Sequence, residues 1–271
     1  MLKADTSFTR RFVRFVALPL LFIAGIQLYI LSEQTEYYFA WTISLPLTAA
    51  FLGAGYWAAM GYAYMNWWDD PSVAARSTGL TAIAATLILG IATFLHLDKF
   101  HLNSPALFTR FVTWVWIIVY VITPFIFLWV WITYGRRTDE TMGAQPFPAW
   151  IRTANLILAG LTMLAGVVLF LAPNSIIPFW PWELTPLTAR AISAWFFAYG
   201  LGCVSMIREN NTSTTLRARI SLVAFSVLQL IALARYFSSF DLSKPLAWVY
   251  LLVMMVGLVA NAPGLFSRQR G

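Results

Sequence analysis

"FWPWELTPLTARAISAWFFAYGLG", from Phe179 to Gly202, resembles a stretch about half a chain earlier, "YFAWTISLPLTAAFLGAGYWAAMG", from Tyr38 to Gly61. Each stretch has a tryptophan shortly before a proline and a run of small residues after it. A proline in the first turn of a helix costs no hydrogen bond, because its missing N–H would have no partner there. Both stretches therefore predict a loop followed by a new helix, and their likeness predicts an internal duplication.

The likeness extends beyond the two quoted stretches. An offset of 140 residues holds without a gap from the prolines to "HLDKFHLNSPALF" (96–108) and "YFSSFDLSKPLAW" (236–248). Upstream of the prolines the offset becomes 141 residues. The equivalent pairs that carry the alignment are Pro46–Pro186, Trp41–Trp182, Gly25–Gly166, Phe100–Phe240 and Pro105–Pro245.

Composition assigns the chain to a membrane. Of its 271 residues 60% are hydrophobic and 11% are charged, and the mean hydropathy is +0.71, whereas soluble domains are about 25% charged. The charge-free runs are mostly long enough to span a bilayer, which takes about 20 apolar residues. We predict an all-α integral membrane protein with eight transmembrane helices near 12–31, 46–66, 77–96, 109–133, 152–171, 187–206, 220–238 and 246–266.

Four helices in each repeat bring both repeats into the membrane from the same side. Such parallel repeats are related by a pseudo-twofold axis along the membrane normal, as in some transporters. The sequence therefore predicts two parallel four-helix repeats, residues 1–140 and 141–271.

Basic residues predict the orientation. The formal net charge is +7, but the basic residues are dispersed over the helix ends, which indicates membrane topology and not nucleic-acid binding. Counting alternate connections places 13 on one side and 5 on the other, so the positive-inside rule predicts a multi-pass protein of the cell membrane with both termini in the cytoplasm. The larger group is Lys3, Arg10, Arg11, Arg14, Arg76, Arg136, Arg137, Arg152, Arg208, Arg217, Arg219, Arg268 and Arg270.

Small residues recur at four-residue spacing after both prolines, on one face of each predicted helix. Small residues let helix backbones approach closely in lipid, so we expect these positions to be helix-packing sites, with Tyr56 and Phe196 more exposed to lipid. A ligand tunnel along the same faces is the alternative, because repeat interfaces often hold sites. The helix-packing residues are Ala54, Ala58, Ala194, Ala198 and Gly202.

The segment "HLDKFH" is the candidate metal site. His96, Asp98 and His101 supply two imidazoles and a carboxylate within six residues, which are suitable ligands for zinc or another divalent ion. The spacing matches no zinc motif, and Tyr236, Ser238 and Asp241 occupy the equivalent places in the second repeat. The alternative is a solvent-exposed helix end at the membrane interface, with histidines that bind no metal.

Glu183, Arg235 and Asp241 are the candidate cavity or ion-pair residues. Glu183 precedes the helix that starts at Pro186, where a carboxylate interacts favourably with the helix dipole. Arg235 interrupts an apolar span near its end; a charge there marks a pathway, pairs with a carboxylate or snorkels to the surface. Asp241 and Glu183 are its expected partners.

The motifs exclude several activities and predict no cofactor. Nucleotide-binding loops, a GxSxG nucleophile and an HExxH zinc motif are all missing from the sequence, and its two histidines lie too close together to ligate a haem from facing helices.

Transport or permeation of a small molecule or ion is therefore the leading interpretation, on architecture alone. A membrane-embedded enzyme acting on a lipid or lipid-linked substrate at the outer face is the first alternative, and a non-catalytic membrane subunit or scaffold is the second. The expected partners are membrane lipids, and the chain is compatible with a homo-oligomer or a larger membrane complex.

Overall fold

A computed structural model describes residues 11–66, 71–135, 146–212 and 214–263 of the chain. These residues form helices joined by short loops and contain no β-strand, only an isolated bridge between Trp41 and Phe100. The predicted repeat boundary at 140/141 lies outside the described residues. So do six of the basic residues that predict the orientation: Lys3, Arg10, Arg136, Arg137, Arg268 and Arg270.

The described residues contain eight long helices. They are α1 (Val13–Ile30), α2 (Pro46–Asn66), α3 (Pro71–Leu95), α4 (Leu107–Tyr134), α5 (Ala149–Leu171), α6 (Pro186–Glu209), α7 (Leu216–Arg235) and α8 (Pro245–Asn261).

Several helix ends differ from the sequence prediction, among them the start of α3 and the ends of α7 and α8. The α3 helix begins at Pro71, about two turns earlier than expected, because a proline fits the first turn. The α7 helix ends at Arg235 because the chain turns into a 3-10 turn at Phe237–Ser239. The α8 helix ends at Asn261 and not at 266, and Pro263, two residues later, has no N–H to continue the helical hydrogen bonds.

Local sequence explains how the helices start. Proline is the first residue of α2, α3, α6 and α8. At α6 the Thr185 side chain accepts a hydrogen bond from the Thr188 backbone N–H at 3.2 Å, and the Thr188 hydroxyl accepts one from the Thr185 N–H at 2.8 Å. This reciprocal capping box satisfies two N–H groups that the helix cannot bond itself.

Helices of the two halves of the chain pack against each other. The α3 helix packs along α6 and α7 packs along α2, and the pairs α1–α2, α3–α4, α5–α6, α7–α8 and α5–α8 are also in contact. Several hydrogen bonds tie α7 to α1 and α2, among them Tyr29 Oη to the Leu228 carbonyl at 2.8 Å, Ser221 Oγ to the Ala58 carbonyl at 2.9 Å, and Gln229 Nε2 to the Phe51 carbonyl at 3.0 Å.

The loops after α1, α3, α5 and α7 meet at one end of the bundle, which we name the tryptophan end after Trp41 and Trp182. The ring of Trp41 lies 5.0 Å from that of Phe100, and the ring of Trp182 lies 6.0 Å from that of Phe240. The Trp182 indole also donates a hydrogen bond to Thr48 Oγ1 at 3.0 Å, so this loop of the second half is bonded to α2 of the first half.

At the opposite end of the bundle a buried arginine closes the terminus of α8. Arg219 is 3% exposed and donates hydrogen bonds to the carbonyls of Asn261, at 3.2 Å, and of Pro263. Its guanidinium also lies 5.6 Å from the Phe147 ring centroid. A cation is stabilising at a helix C-terminus, where unpaired carbonyls carry partial negative charge.

The outer surface of the bundle is apolar. Large hydrophobic side chains such as Phe111, Ile118 and Phe125 of α4 are exposed, an arrangement that is unfavourable in water over so large a surface. The helices α1, α4, α5, α6 and α7 are long and apolar enough to cross a membrane, and α3 and α8 contain shorter apolar segments. The fold therefore indicates a helical membrane protein.

The small residues of α2 and α6 lie inside the bundle. Ala54 and Ala194 are fully buried, and Ala58 and Ala198 are 4% and 7% exposed. The expectation that Tyr56 and Phe196 face lipid is wrong, because they are only 5% and 3% exposed. Neighbouring helices therefore cover both aromatic side chains.

Candidate functional site: a cavity between the two halves

A cavity of about 280 Å³ lies between α1, α2, α3, α4, α6 and α7. It borders Ala58 of α2 and Ala198 and Gly202 of α6, whose small side chains leave space where larger ones would fill it. Most of its lining atoms belong to apolar side chains, among them Leu21, Leu89, Ile126 and Leu222. Such a lining favours an apolar occupant.

Aromatic side chains separate the cavity from the tryptophan end. Phe225, which lines the cavity, packs edge-on against Phe51 with ring centroids 5.6 Å apart. Phe51 is fully buried, and its ring lies 5.4 Å from Phe196 and 6.2 Å from Trp182. The cavity therefore lies toward the end of the bundle that carries Arg219.

Two tyrosines form the main polar feature of the cavity wall. Tyr56 of α2 and Tyr120 of α4 both line the cavity, and their hydroxyl groups hydrogen-bond each other. The Trp116 ring packs against Tyr120 at 4.4 Å and against Tyr56 at 6.2 Å. Its indole N–H donates to Thr93 Oγ1 at 2.9 Å, which fixes the ring that supports both tyrosines.

The Tyr199 hydroxyl of α6 pairs with Ser226 Oγ at 3.4 Å, and two further hydroxyl groups in the wall are bonded to backbone carbonyls. Ser221 Oγ of α7 donates to the Ala58 carbonyl, and Thr86 Oγ1 of α3 donates to the Ala82 carbonyl at 2.7 Å. Bonds of this kind satisfy a polar side chain inside an apolar bundle. These groups are consequently less available to a ligand than the tyrosine pair.

The cavity wall is loosely packed where α1 meets α4. The α5 and α8 helices of the second half pack together, and the Asn261 side-chain amide donates to Asn155 Oδ1 at 3.3 Å. The α1 and α4 helices of the first half make few close contacts within the described residues, one of them between the rings of Phe12 and Phe127 at 6.4 Å. Both of these phenylalanines line the cavity.

Pro124 lies in the part of α4 that borders the cavity. It lies inside α4 and has no N–H for the carbonyl of Tyr120, one turn earlier. A proline at such a position bends a helix, and the cavity-lining residues Ile126, Phe127 and Val130 follow it.

The three predicted metal ligands lie at the tryptophan end, outside the cavity, and have other partners. His96 Nε2 accepts a hydrogen bond from Arg190 Nη1 at 2.7 Å. His101 Nδ1 lies 3.1 Å from the Phe39 carbonyl and its Nε2 lies 3.0 Å from the Thr42 hydroxyl.

Asp98 pairs with Lys99 at 3.0 Å, and this contact lowers the pKa of the Asp98 carboxyl. Within the part of the chain that the structure describes, no three His, Cys, Asp or Glu side chains are grouped to hold a metal ion. A metal at His96, Asp98 and His101 stays a prediction, which elemental analysis of protein purified without chelator would test.

The candidate ion-pair residues have other partners than expected. Arg235 Nη1 donates to the Tyr29 carbonyl at 2.9 Å, and its nearest carboxylate is that of Glu33, at 3.9 Å. Asp241 instead accepts hydrogen bonds from the backbone and hydroxyl of Ser243, and Glu183 is exposed in the loop before α6. Arg235 pairs with α1 because α7 packs in the first half of the bundle.

Sequence reasoning found the small residues of the cavity but missed its tyrosines. A tyrosine in an apolar span carries one polar atom that needs a partner, so Tyr56 and Tyr120 could have been singled out. Their pairing could not, because it joins α2 to α4 across 64 residues.

The fold and the cavity together define a helical protein of membrane type with an internal apolar cavity. The chain matches no protein-family model, and no curated protein or solved structure shows significant similarity to it.

Proposed function

We propose that the chain forms eight transmembrane spans in two parallel four-helix repeats, in the cell membrane with both termini in the cytoplasm. The helix contacts support this. In the two repeats α3 corresponds to α7 and α6 corresponds to α2, so the contacts α3–α6 and α7–α2 are equivalent to each other, and both are present. Matched residue contacts support it too. The N–H of His101 donates to the Ala40 carbonyl at 3.0 Å, and at the equivalent place the N–H of Asp241 donates to the Pro181 carbonyl at 2.7 Å.

Close helix contacts at equivalent glycines favour the same duplication. A Cβ at Gly25 would lie 2.7 Å from Trp57 Cε2, and a Cβ at the equivalent Gly166 would lie 3.2 Å from Phe197 Cβ. Gly25 and Gly166 are separated by 141 residues, and Trp57 and Phe197 by 140, as the sequence alignment requires.

Within this architecture the protein transports a small, largely apolar molecule, which it binds in the cavity. The observation that carries the proposal is the 280 Å³ cavity between the two halves, lined mostly by apolar side chains. Its position favours binding from the cytoplasmic half of the membrane, and the loose α1–α4 wall favours entry from the bilayer.

Binding is tested with a bicyclic hydrocarbon, because an apolar cavity of about 150 Å³ holds one benzene and this cavity is about twice that size. Fluorotetralin is added to the protein in nanodiscs, and fluorine NMR measures the bound fraction against protein-free nanodiscs. We expect saturable binding that Ala198→Leu weakens, since the leucine side chain takes up part of the cavity. Equal signals with and without protein would overturn the proposal.

Transport is tested by release of the same probe from proteoliposomes to external cyclodextrin. We expect faster release with the wild-type protein than with Ala198→Leu. Release at the protein-free rate, despite saturable binding, would reduce the function to binding and would favour a subunit or scaffold.

A further inference from the structure

We infer that the Tyr56–Tyr120 pair donates a hydrogen bond to the ligand, so that the ligand is a small apolar molecule with one acceptor oxygen, such as a carbonyl. This inference rests on the proposed binding function and names its substrate class.

The tyrosine pair has a spare hydroxyl proton. Each tyrosine hydroxyl carries one proton, and the bond between Tyr56 and Tyr120 uses one of the two. Among the described residues neither hydroxyl has another hydrogen-bond partner. One donor proton is therefore left over in the wall of the cavity.

The surroundings of the pair make this proton significant. Tyr56 is 5% exposed and Tyr120 is 7% exposed, so bulk solvent does not supply an acceptor to either hydroxyl. Buried hydroxyl groups without a partner are unfavourable and rare in folded proteins. A ligand oxygen beside the pair would supply the missing acceptor.

The pair is also held in place. The Trp195 ring packs edge-on against Tyr56 at 4.9 Å, while Trp116 supports both phenol rings. Donors that are fixed before binding lose little conformational freedom when the ligand arrives. The pair thus adds a fixed donor to a mostly apolar cavity, which suits a ligand with an apolar body and an acceptor oxygen.

The size of the cavity limits the class further. With about twice the volume that holds benzene, it accommodates on the order of ten to twelve non-hydrogen atoms. A two-ring ketone meets both requirements, and its parent hydrocarbon meets only the requirement of size.

The test compares fluorotetralone with fluorotetralin, which differ by a single carbonyl oxygen. Binding of each is measured by fluorine NMR with the full-length protein in nanodiscs, after correction for partition into protein-free nanodiscs. We expect the wild-type protein to bind the ketone about 3- to 10-fold more tightly, the effect of one net hydrogen bond.

Variants of the two tyrosines test whether the spare hydroxyl proton is responsible for the preference. Tyr56→Phe or Tyr120→Phe alone leaves one hydroxyl with a free proton, so the preference for the ketone is retained. The double variant has no hydroxyl left at these two positions. We expect its preference for the ketone to vanish while fluorotetralin still binds. Tyr37→Phe, at an exposed position, is the matched control and keeps the preference.

The outcomes separate the two proposals. If fluorotetralin binds saturably but the wild-type protein shows no preference for the ketone, or if the double variant keeps it, the role of the tyrosines is overturned and the apolar cavity stands. If neither compound binds, the proposed function fails and this inference fails with it.

Discussion

Gly55 shows how a single residue permits a close approach between α2 and α6, which belong to different halves. A Cβ at this position would lie 2.7 Å from Trp195 Cε2, which is closer than real Cβ contacts allow. The Trp195 ring in turn packs against Tyr56 in the cavity wall. A glycine at 55 therefore allows α2 to approach the tryptophan that supports the proposed donor pair.

Replacement of Gly55 by alanine should displace Trp195 and destabilise the protein by about 1–3 kcal/mol, the usual cost of overpacking. The measurement is thermal unfolding of the purified protein in detergent, followed by size-exclusion chromatography.

Gly61→Ala is the control on the same helix, since a Cβ at Gly61 has no atom within 4 Å. An equal loss of stability in both variants would show that the helix, and not the Trp195 contact, is responsible.

His96 and Arg190 form a pH-sensitive contact between the halves at the tryptophan end. Arg190 Nη1 donates to His96 Nε2, so this nitrogen must be unprotonated. Burial, and secondly the charge of Arg190, lower the pKa of His96 from its ordinary value.

Because the folded state binds this proton less readily than the unfolded state, stability should be lost as the pH falls below about 6.5 and through the lowered pKa. His96→Gln keeps an acceptor for Arg190 but does not titrate. We expect the unfolding temperature of wild type to drop more than that of His96→Gln between about pH 8 and about pH 5. Parallel pH profiles would count against the contact.

At the scale of one helix, α6 presents small residues to two different environments. Ala194 is fully buried among side chains and does not line the cavity, whereas Ala198, one turn later, does. The same four-residue spacing thus supports close packing at one turn and open space at the next.

Leucine at these two positions should therefore have unequal effects. Ala194→Leu has no space to occupy and should cost about 1–3 kcal/mol, while Ala198→Leu extends into the cavity and should cost much less. Unfolding by heat or denaturant compares the two variants. If Ala198→Leu were the more damaging of the pair, the cavity would not exist in the folded protein.

The positions of several helices could be predicted from the sequence, because apolar runs and prolines determine local structure. The prolines that begin α2, α6 and α8 and the charge-free runs between them place these helices within a few residues of where they lie. Contacts between distant helices do not follow in this way. The four-residue spacing of Ala194 and Ala198 is the same whether their faces pack against another helix or border a cavity. The partner of Arg235 depends on which helix lies beside α7.

At the scale of the whole molecule, the orientation in the membrane is directly testable. Cys203 is buried, so cysteines can be introduced after Cys203→Ala at Lys99 and Arg137, on opposite sides in the proposed topology. We expect a membrane-impermeant thiol reagent to label Lys99→Cys in intact cells, and Arg137→Cys only after the membrane is opened. Labelling of both positions from one side would overturn the eight-span topology.

The bonds that α7 makes to α1 and α2 also have a consequence for biosynthesis. Chains fold from the N-terminus as they are made, so α1 and α2 enter the membrane well before α7 leaves the ribosome. Until then the Tyr29 hydroxyl lacks its acceptor on α7, and polar groups without partners are costly in hydrocarbon. A nascent chain that stops before α7 should therefore be retained by membrane chaperones or degraded, and should not accumulate as a stable half.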